Sequence, residues 1–398
     1  MISDGSGVLP AAAWVKLAML SHGVAVAPSF SSWFSSQEGA VRRRNFYNSP
    51  VWDGGEAVPQ EIRLVNGSGP PVTVAVNVYG DDTWSLEGSE RGPAVINTRL
   101  GISWDVELID DLRCLRGSAA LARVANLYGG SALSFFSPRA CYFFADSTQC
   151  RFCSLAGTAA GTAFANRLTA AQVRDAVTTV LQAEPARVNQ VMIVGGNERN
   201  LDTGFLRHVD LACAAAEAIE AAGMTRTVSV HLVTMPPRTL SLIRELGGVA
   251  GMHCGFNLEA WDPLVFARIA PGKSADYGHS AIRRALDYLV GVVGEYRAHS
   301  ILIAGLEPPA STLAGAAALA EAGVSPIINC FHSDVHSAIG LSVRPRYEEL
   351  AEVAGGLSRL HAAYPIRPYW KGCGRNALDF EAGNGMFTGD APALGGTR

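Results

Sequence analysis

Short apolar runs alternate with amphipathic stretches through the chain from Ser131 onward. Each run carries the β-branched and aromatic residues typical of a buried strand, and apolar residues at helical spacing follow it. The pattern predicts six strands, at 131–137, 190–196, 227–234, 253–260, 300–305 and 326–332. It predicts six helices, at 169–184, 203–222, 237–247, 278–295, 310–322 and 345–363. Such alternation indicates an α/β fold, a partial (β/α)6 parallel barrel two units short of the full eight-fold form.

The first part of the chain has a different pattern. Alternating β-branched residues at 72–79 predict a strand, and 61–65 is a candidate partner across a turn that begins at Asn66. We expect a further strand at 95–99 and a helix near 109–127. The chain is therefore divided into a β-rich N-terminal module (1–127), the βα core (128–340) and a C-terminal extension, helical and then irregular (341–398). We expect the N-terminal module to cap the barrel mouth and help to select the substrate.

Composition and charge narrow the class of protein. The chain has 398 residues, 48% hydrophobic and 17% charged, which suits a folded protein with a sizeable core and not a disordered one. The net charge of −4 makes a broad nucleic-acid surface unexpected. No apolar run reaches the length of a membrane span, and the start lacks the basic segment of a secretory signal. We therefore expect a cytoplasmic protein that binds neither nucleic acid nor membranes.

Three of the eight cysteines lie close together, at Cys141, Cys150 and Cys153, in the spacing C-x8-C-x2-C. The others are scattered, and Cys373 is expected in an exposed turn between two glycines. A single tight group favours a metal site over disulfides, and thiolates suit an iron–sulfur cluster or zinc. Zinc sites usually close with a fourth Cys or His at short spacing. No such residue follows Cys153 before His208, so one metal position stays open.

A second motif stands at the end of the second predicted strand, Gly195-Gly196-Asn197-Glu198. The carboxyl ends of parallel strands carry functional residues, and the cysteine loop follows the first strand. Two glycines let a ligand approach the backbone closely, and the carboxylate of Glu198 is suited to an ammonium group.

Together these motifs resemble those of the radical S-adenosylmethionine superfamily, over about residues 128–340. The cysteine loop after strand one, the aromatic Phe152 before its last cysteine and the glycine pair after strand two carry the resemblance. The eight-residue gap between Cys141 and Cys150 differs from the commonest three-residue form. The usual Gly-Gly-Glu also carries one extra residue here, so Asn197 and Glu198 are both candidates for the amino-group role.

The resemblance implies a mechanism and a set of roles. The three cysteines would bind three irons of a [4Fe–4S] cluster, and S-adenosylmethionine would chelate the fourth through its amino and carboxylate groups. One electron would then break the sulfonium bond, and the 5′-deoxyadenosyl radical would take a hydrogen atom from the substrate. The implied cofactor-binding residues are Phe152, Gly195, Gly196, Asn197, Glu198, Ser229, His231, Asn257, Glu259, Arg268 and Gly305, with Lys273 as a further carboxylate partner. The expected catalytic residues, nearest the substrate, are Cys330 and His332, and a Cys330 thiol is suited to donating hydrogen to a product radical.

The resemblance leaves several reactions open. We expect a small molecule or short peptide as the substrate, in rearrangement, C–C cleavage, epimerisation, dehydrogenation or cyclisation, and a flavodoxin- or ferredoxin-type electron donor. The sequence has no second cysteine group, which argues against enzymes with auxiliary clusters. Two other classes are alternatives: a non-catalytic zinc protein that uses the cysteine triplet, and a metal-independent βα-barrel enzyme with incidental cysteines.

Overall fold

The N-terminal part of the computed structural model contains a six-stranded mixed sheet. The structure describes residues 10–38, 58–65, 69–79, 82–160, 164–334, 336–340, 342–387 and 389–394. The strands are β1 (Ala25–Val26), β2 (Glu61–Leu64), β3 (Val72–Ala75), β4 (Ser85–Ser89), β5 (Gly92–Asn97) and β6 (Ile102–Leu108), in the order β1-β4-β5-β6-β2-β3. The expected pairing of 61–65 with 72–79 is present and antiparallel. The start of the predicted turn between them, 66–68, lies outside the described residues.

The second sheet has seven strands and forms the βα core. They are β7 (Asn126–Tyr128), β8 (Ala132–Phe136), β9 (Gln190–Val194), β10 (Ser229–Val233), β11 (Met252–Gly255), β12 (Ala298–Ala304) and β13 (Ser325–Cys330), in sequential order. Strands β8 to β13 are parallel, and β7 pairs antiparallel with β8. All six predicted core strands are confirmed. The limits of the three predicted segments of the chain stay a prediction.

The six predicted helices are present around this sheet. They are Ala170–Ala183, Leu201–Ala221, the 3-10 helix Leu240–Leu246, His279–Val293, Pro309–Glu321 and Tyr347–Ala363. Shorter helices at Tyr142–Ala145, Leu155–Ala160, Pro263–Ile269, Pro271–Asp276 and Asp379–Gly383 accompany them, with a 3-10 turn at Pro185–Arg187. The first long helix begins with a capping box between Thr169 and Gln172. In the described part of the chain, no helix is both long and apolar enough to cross a membrane.

One helix prediction in the N-terminal part needs correction, and two helices there were not predicted. The segment 109–127 contains only two short helices, Arg113–Gly117 and Ala119–Ala122, separated by an extended Ser118. Helices Ala12–His22 and Pro28–Ser35 had no counterpart among the predicted elements. Every residue of the first is buried, so its sequence lacks the polar face by which a helix is recognised.

The core sheet is open between its two ends, and the C-terminal segment 368–378 lies across the opening. Ala377 forms a β-bridge with Asn329 on β13. At the other side, Gly129 in the β7–β8 turn packs directly on Cys373, whose carbonyl oxygen would lie 1.9 Å from a Cβ at that glycine. The segment therefore completes the wall that the six parallel strands leave unfinished.

Buried charges from the N-terminal part hold this segment in place. The Lys16 ammonium, fully buried, donates to the Gly374 carbonyl oxygen at 2.6 Å and to Glu381 Oε1 at 2.7 Å. The Arg375 guanidinium donates to Glu61 Oε2 on β2 at 2.7 Å. Because a buried charge is costly unless it is paired, these contacts fix the segment against the N-terminal sheet.

Candidate active site

A cavity of about 270 Å³ opens at the carboxyl ends of the parallel strands. Its size is near the lower end of the roughly 300–1,000 Å³ typical of small-molecule sites. Residues from β7, from four of the parallel strands, from the loop after β11 and from segment 368–378 all line it, so the sheet curls around one space. Of the residues predicted for the site, the lining contains Cys141, Cys150, Phe152, Cys153, Gly195, Gly196, Asn197, Asn257, Glu259, Lys273, Cys330 and His332.

The glycine pair after β9 allows the cysteine loop to pack closely. A Cβ at Gly196 would lie 2.2 Å from the Ala140 carbonyl oxygen, and Gly195 packs as closely on the same loop. The Tyr142 N–H donates to the Asn197 carbonyl oxygen at 3.0 Å. The absence of side chains at 195 and 196 therefore positions the loop that carries the cysteines, and a role in ligand binding stays a prediction.

All three clustered cysteines lie on the cavity wall. Burial raises the pKa of the Cys150 thiol and raises that of Cys153 to about 12, and neighbouring thiols add to both shifts. Asn197 Nδ2 lies 3.7 Å from Cys141 Sγ. Such thiols become thiolates when a metal binds them, because the metal stabilises the charged form.

A single zinc ion and an iron–sulfur cluster place different geometric demands on the three thiols. A tetrahedral zinc, with Zn–S bonds near 2.3 Å, holds its sulfur atoms about 3.8 Å apart. Among the described residues, no three Cys, His, Asp or Glu side chains converge closely enough to hold a single metal ion. The three thiols nevertheless influence one another electrostatically. A [4Fe–4S] cluster binds each thiolate through a different iron, so it does not require the three sulfur atoms to converge on one ion.

A buried ion pair lies beside the thiols. Lys273 Nζ and Glu259 Oε1 are 2.5 Å apart. Burial alone would lower the pKa of Lys273, but the Glu259 carboxylate and the Cys150 thiolate raise it further than burial lowers it. Glu259 has a φ of +65°, and its N–H donates to the Ile301 carbonyl oxygen at 2.8 Å. A non-glycine residue in this region costs roughly 1–3 kcal/mol, so the surrounding structure holds Glu259 in a strained conformation.

Five predicted cofactor residues do not line the cavity: Glu198, Arg268, Gly305, Ser229 and His231. Glu198 lies beyond the turn after β9, and its carboxylate binds Arg207 at 2.5 Å. Arg268 is exposed in the last turn of its helix. Gly305 has a φ of +96° and packs against Pro345. Strand β9 ends at Val194, so residues 195–197 occupy the wall and the chain has turned outward by Glu198.

The predicted residues Ser229 and His231 lie deeper than expected. They were placed near the end of the third predicted strand, but β10 begins at Ser229, and Val233 at its end lines the cavity. Ser229 Oγ is 2.7 Å from His231 Nε2, and the His231 ring packs edge-on against Tyr369 at 4.3 Å between centroids. Alternate residues of a strand face the same side, so these two form a layer beneath the cavity.

The predicted catalytic residues differ in where their side chains lie. Cys330 contributes to the wall, but its side chain packs with Ile328 in the core between the sheet and the helices, on the side of Lys16. Burial raises the pKa of its thiol to about 12. His332 lines the cavity, and its Nδ1 is 3.2 Å from Asn376 Nδ2. A role for the Cys330 thiol as a hydrogen donor therefore stays a prediction.

Several lining residues were not anticipated from the sequence. They come from the end of β7, from the middle of β9 and β12 and from the C-terminal segment: Tyr128, Met192, Ile301, Trp370, Arg375 and Asn376. The glycines around Cys373 suggested an exposed turn, yet Cys373 is fully buried. The adjacent Tyr369 and Trp370 were the available signal, because large aromatic pairs are seldom left in solvent.

Comparison with known proteins places the chain beside radical S-adenosylmethionine enzymes at low similarity. No protein-family model and no curated protein matches it. It is similar to the FeFe-hydrogenase maturase HydG from Carboxydothermus hydrogenoformans, with 15% identity and a TM-score of 0.42 over 60% of this chain and 53% of that one. It is also similar to a radical SAM methyltransferase from Sphaerobacter thermophilus, with 14% identity and a TM-score of 0.39 over 75% and 82% of the two chains. A third is the radical S-adenosylmethionine methyltransferase TsrM from Kitasatospora setae, with 12% identity and a TM-score of 0.38 over 65% and 49%. The chain spans about half the length of HydG and of TsrM.

Proposed function

We propose that this chain is a radical S-adenosylmethionine enzyme acting on a small molecule or a short peptide in a biosynthetic pathway. The observation that carries the proposal is the placement of Cys141, Cys150 and Cys153. They are three soft donors on the wall of a cavity at the carboxyl ends of the parallel strands. This arrangement suits a cluster that leaves one iron accessible from the cavity.

The chain's own residues suggest how the two cofactors would be held. The three thiolates would ligate the cluster, and Asn197, beside Cys141, would face the methionyl group of S-adenosylmethionine. The Lys273–Glu259 pair and Asn257 line the adjoining wall and offer partners for its carboxylate and ribose. When bound, the two cofactors would supply one-electron cleavage of the sulfonium and a 5′-deoxyadenosyl radical.

The walls of the cavity suit radical chemistry. Apolar and aromatic side chains make up most of the lining opposite the cysteines. Such walls exclude water and limit the positions that a substrate hydrogen can take. Rearrangement, C–C cleavage, epimerisation, dehydrogenation and cyclisation are all compatible with this role. A flavodoxin- or ferredoxin-type protein is the proposed electron donor.

Anaerobic reconstitution with iron and sulfide tests the proposal. We expect a brown protein that binds about four irons per chain, since a [4Fe–4S] cluster contains four. With reductant and S-adenosylmethionine it should form 5′-deoxyadenosine and methionine. The Cys150→Ala variant should lose both the colour and the products, while Cys213→Ala, which changes a helical cysteine outside the cavity lining, should retain them. A colourless protein that retains zinc, or an unchanged activity in Cys150→Ala, would exclude the proposed function.

A further inference from the structure

The part of the cavity away from the cysteines forms an apolar recess, defined by Tyr128, Met192, Ile301, Ile303 and Trp370. Four of them belong to one cluster of buried side chains on the inner face of the core sheet, and Tyr128 packs against it. Met192 and Ile301 lie in the middle of their strands, below the strand ends that meet the cysteine loop. The recess is therefore the deeper end of the cavity.

The charges around the cavity are already balanced. Three charged residues line it, namely Glu259, Lys273 and Arg375. Glu259 and Lys273 pair with each other at 2.5 Å. Arg375 pairs with Glu61, which lies behind the wall, at 2.7 Å. Among the described lining residues, no carboxylate or cationic side chain is left to neutralise a charged group in the recess.

Because the charged side chains of the lining are paired, the recess favours an uncharged ligand group over a charged one. A charged group would lose its hydration there without gaining a counter-ion, and burying an unpaired charge is strongly unfavourable. An apolar group would gain about 25 cal/mol for each Å² that it removes from water. We propose that the recess binds an uncharged, apolar ring of the substrate. The proposal rests on the proposed function only in taking this cavity as the substrate site.

The aromatic wall of the recess is held rigidly, which favours a ring as the ligand. Trp370 stacks on Tyr128 with ring centroids 5.1 Å apart and meets Tyr369 edge-on at 4.8 Å. The Arg375 guanidinium lies 4.5 Å from the Tyr128 ring centroid. Because these side chains are fixed before binding, a ring that packs against them loses little affinity to ordering of the wall.

Three probes of similar size but different charge test the inference: benzyl alcohol, benzoate and benzylammonium. Their dissociation constants are measured by isothermal titration on the reconstituted full-length protein at pH 7.5. We expect benzyl alcohol to bind at least tenfold more tightly than either ion. Equal or tighter binding of benzoate or benzylammonium would overturn the inference.

Two variants locate the binding and test its electrostatic cause. Ile301→Phe fills the recess and should weaken benzyl alcohol binding at least fivefold, whereas the same kind of change at the exposed Leu264, Leu264→Phe, should leave it unchanged. Glu61→Gln keeps the shape behind the wall but leaves the Arg375 charge uncompensated, so benzoate should bind several-fold more tightly. Unaltered benzyl alcohol binding in Ile301→Phe, or unaltered benzoate binding in folded Glu61→Gln, would contradict the proposal. If Glu61→Gln does not fold, the proposal is decided by the three probe affinities of the wild type and by benzyl alcohol binding in Ile301→Phe.

The outcome is separable from that of the proposed function. Probe binding requires no turnover, and cluster absorbance and 5′-deoxyadenosine formation are measured on the same preparation. A protein that prefers benzyl alcohol but forms no cluster would refute the enzyme class and support the recess. A protein that cleaves S-adenosylmethionine but binds benzoate best would support the enzyme class and refute the inference about the recess.

Discussion

At the scale of single residues, the Lys273–Glu259 pair has the clearest electrostatic consequence. Lys273 lies within electrostatic range of the Cys150 and Cys141 side chains and pairs with Glu259. The lysine therefore adds positive potential where the proposed cluster would gain an electron, and the carboxylate offsets part of it. The pair also keeps two buried charges from being left uncompensated.

Removal of this lysine should make the cluster harder to reduce. In Lys273→Met a buried cation beside the Glu259 carboxylate is lost, so the midpoint potential should fall by about 100 mV, the scale of one charge about 7 Å away at an effective dielectric constant near 20. Redox titration followed by electron paramagnetic resonance measures the shift. The double variant Lys273→Met with Glu259→Gln should recover most of it. A potential that is the same in all three proteins would show that the pair has no electrostatic effect on the cluster.

At the scale of elements, the turn after β9 and the cysteine loop depend on each other. The Gly196 N–H donates to the Pro138 carbonyl oxygen at 2.7 Å, and the Tyr142 N–H donates to Asn197. The loop therefore uses the end of a neighbouring strand as its support. A small change at that strand end should be transmitted to the metal ligands.

Gly196→Ala tests this dependence. The added Cβ would lie 2.2 Å from the Ala140 carbonyl oxygen, so the loop backbone has to move. We expect iron content after reconstitution to fall several-fold, with the far-ultraviolet circular dichroism unchanged. Gly291→Ala is the control, because nothing lies within 4 Å of a Cβ there. Full iron content in Gly196→Ala would show that the loop tolerates displacement and that the glycine is needed for another reason.

Elements and site residues were predictable from the sequence to different extents. The core strands could be located because β-branched runs and helical periodicity reflect local burial. The cysteine loop and residues 195–197 could be placed together because parallel strands meet at one edge. Ser229 was expected near the end of its strand, but β10 begins at this residue. The contribution of Arg375 depends on its contact with Glu61 across more than 300 residues, and that of Trp370 on its distant partner Tyr128; no local pattern contains either contact.

At the scale of the whole molecule, the two ends of the chain meet around segment 368–378. Lys16 and Glu61 from the N-terminal part bind residues of this segment or just after it. Asp379, fully buried, accepts a hydrogen bond from the Trp370 N–H at 2.9 Å. The wall of the cavity is therefore only as stable as this set of buried polar contacts.

The free energy of unfolding of the protein should fall as the pH rises through neutrality, because Asp379 ionises. Burial raises the pKa of Asp379 from 3.8 to about 7, with the neighbouring Glu381 adding to the shift. A folded-state pKa above the unfolded value means that the folded protein holds the proton more tightly. Stability is then greatest below the unfolded pKa and is lost as the pH rises towards and through 7. By linkage, ionisation of Asp379 should cost about 3 kcal/mol between pH 5 and 8.

Asp379→Asn isolates this effect, because the amide keeps an acceptor for Trp370 and does not ionise. Urea unfolding measures the free energy of unfolding at pH 5 and at pH 8. Its decrease between these two pH values should be about 3 kcal/mol larger in the wild type than in Asp379→Asn. Asp287→Asn, on an exposed helix face, is the control and should follow the wild type. Parallel pH profiles for the wild type and Asp379→Asn would mean that Asp379 keeps an ordinary pKa. In that case Asp379 would accept the hydrogen bond from Trp370 as a charged carboxylate throughout. The contacts of segment 368–378 would then be as stable at alkaline pH as at acidic pH.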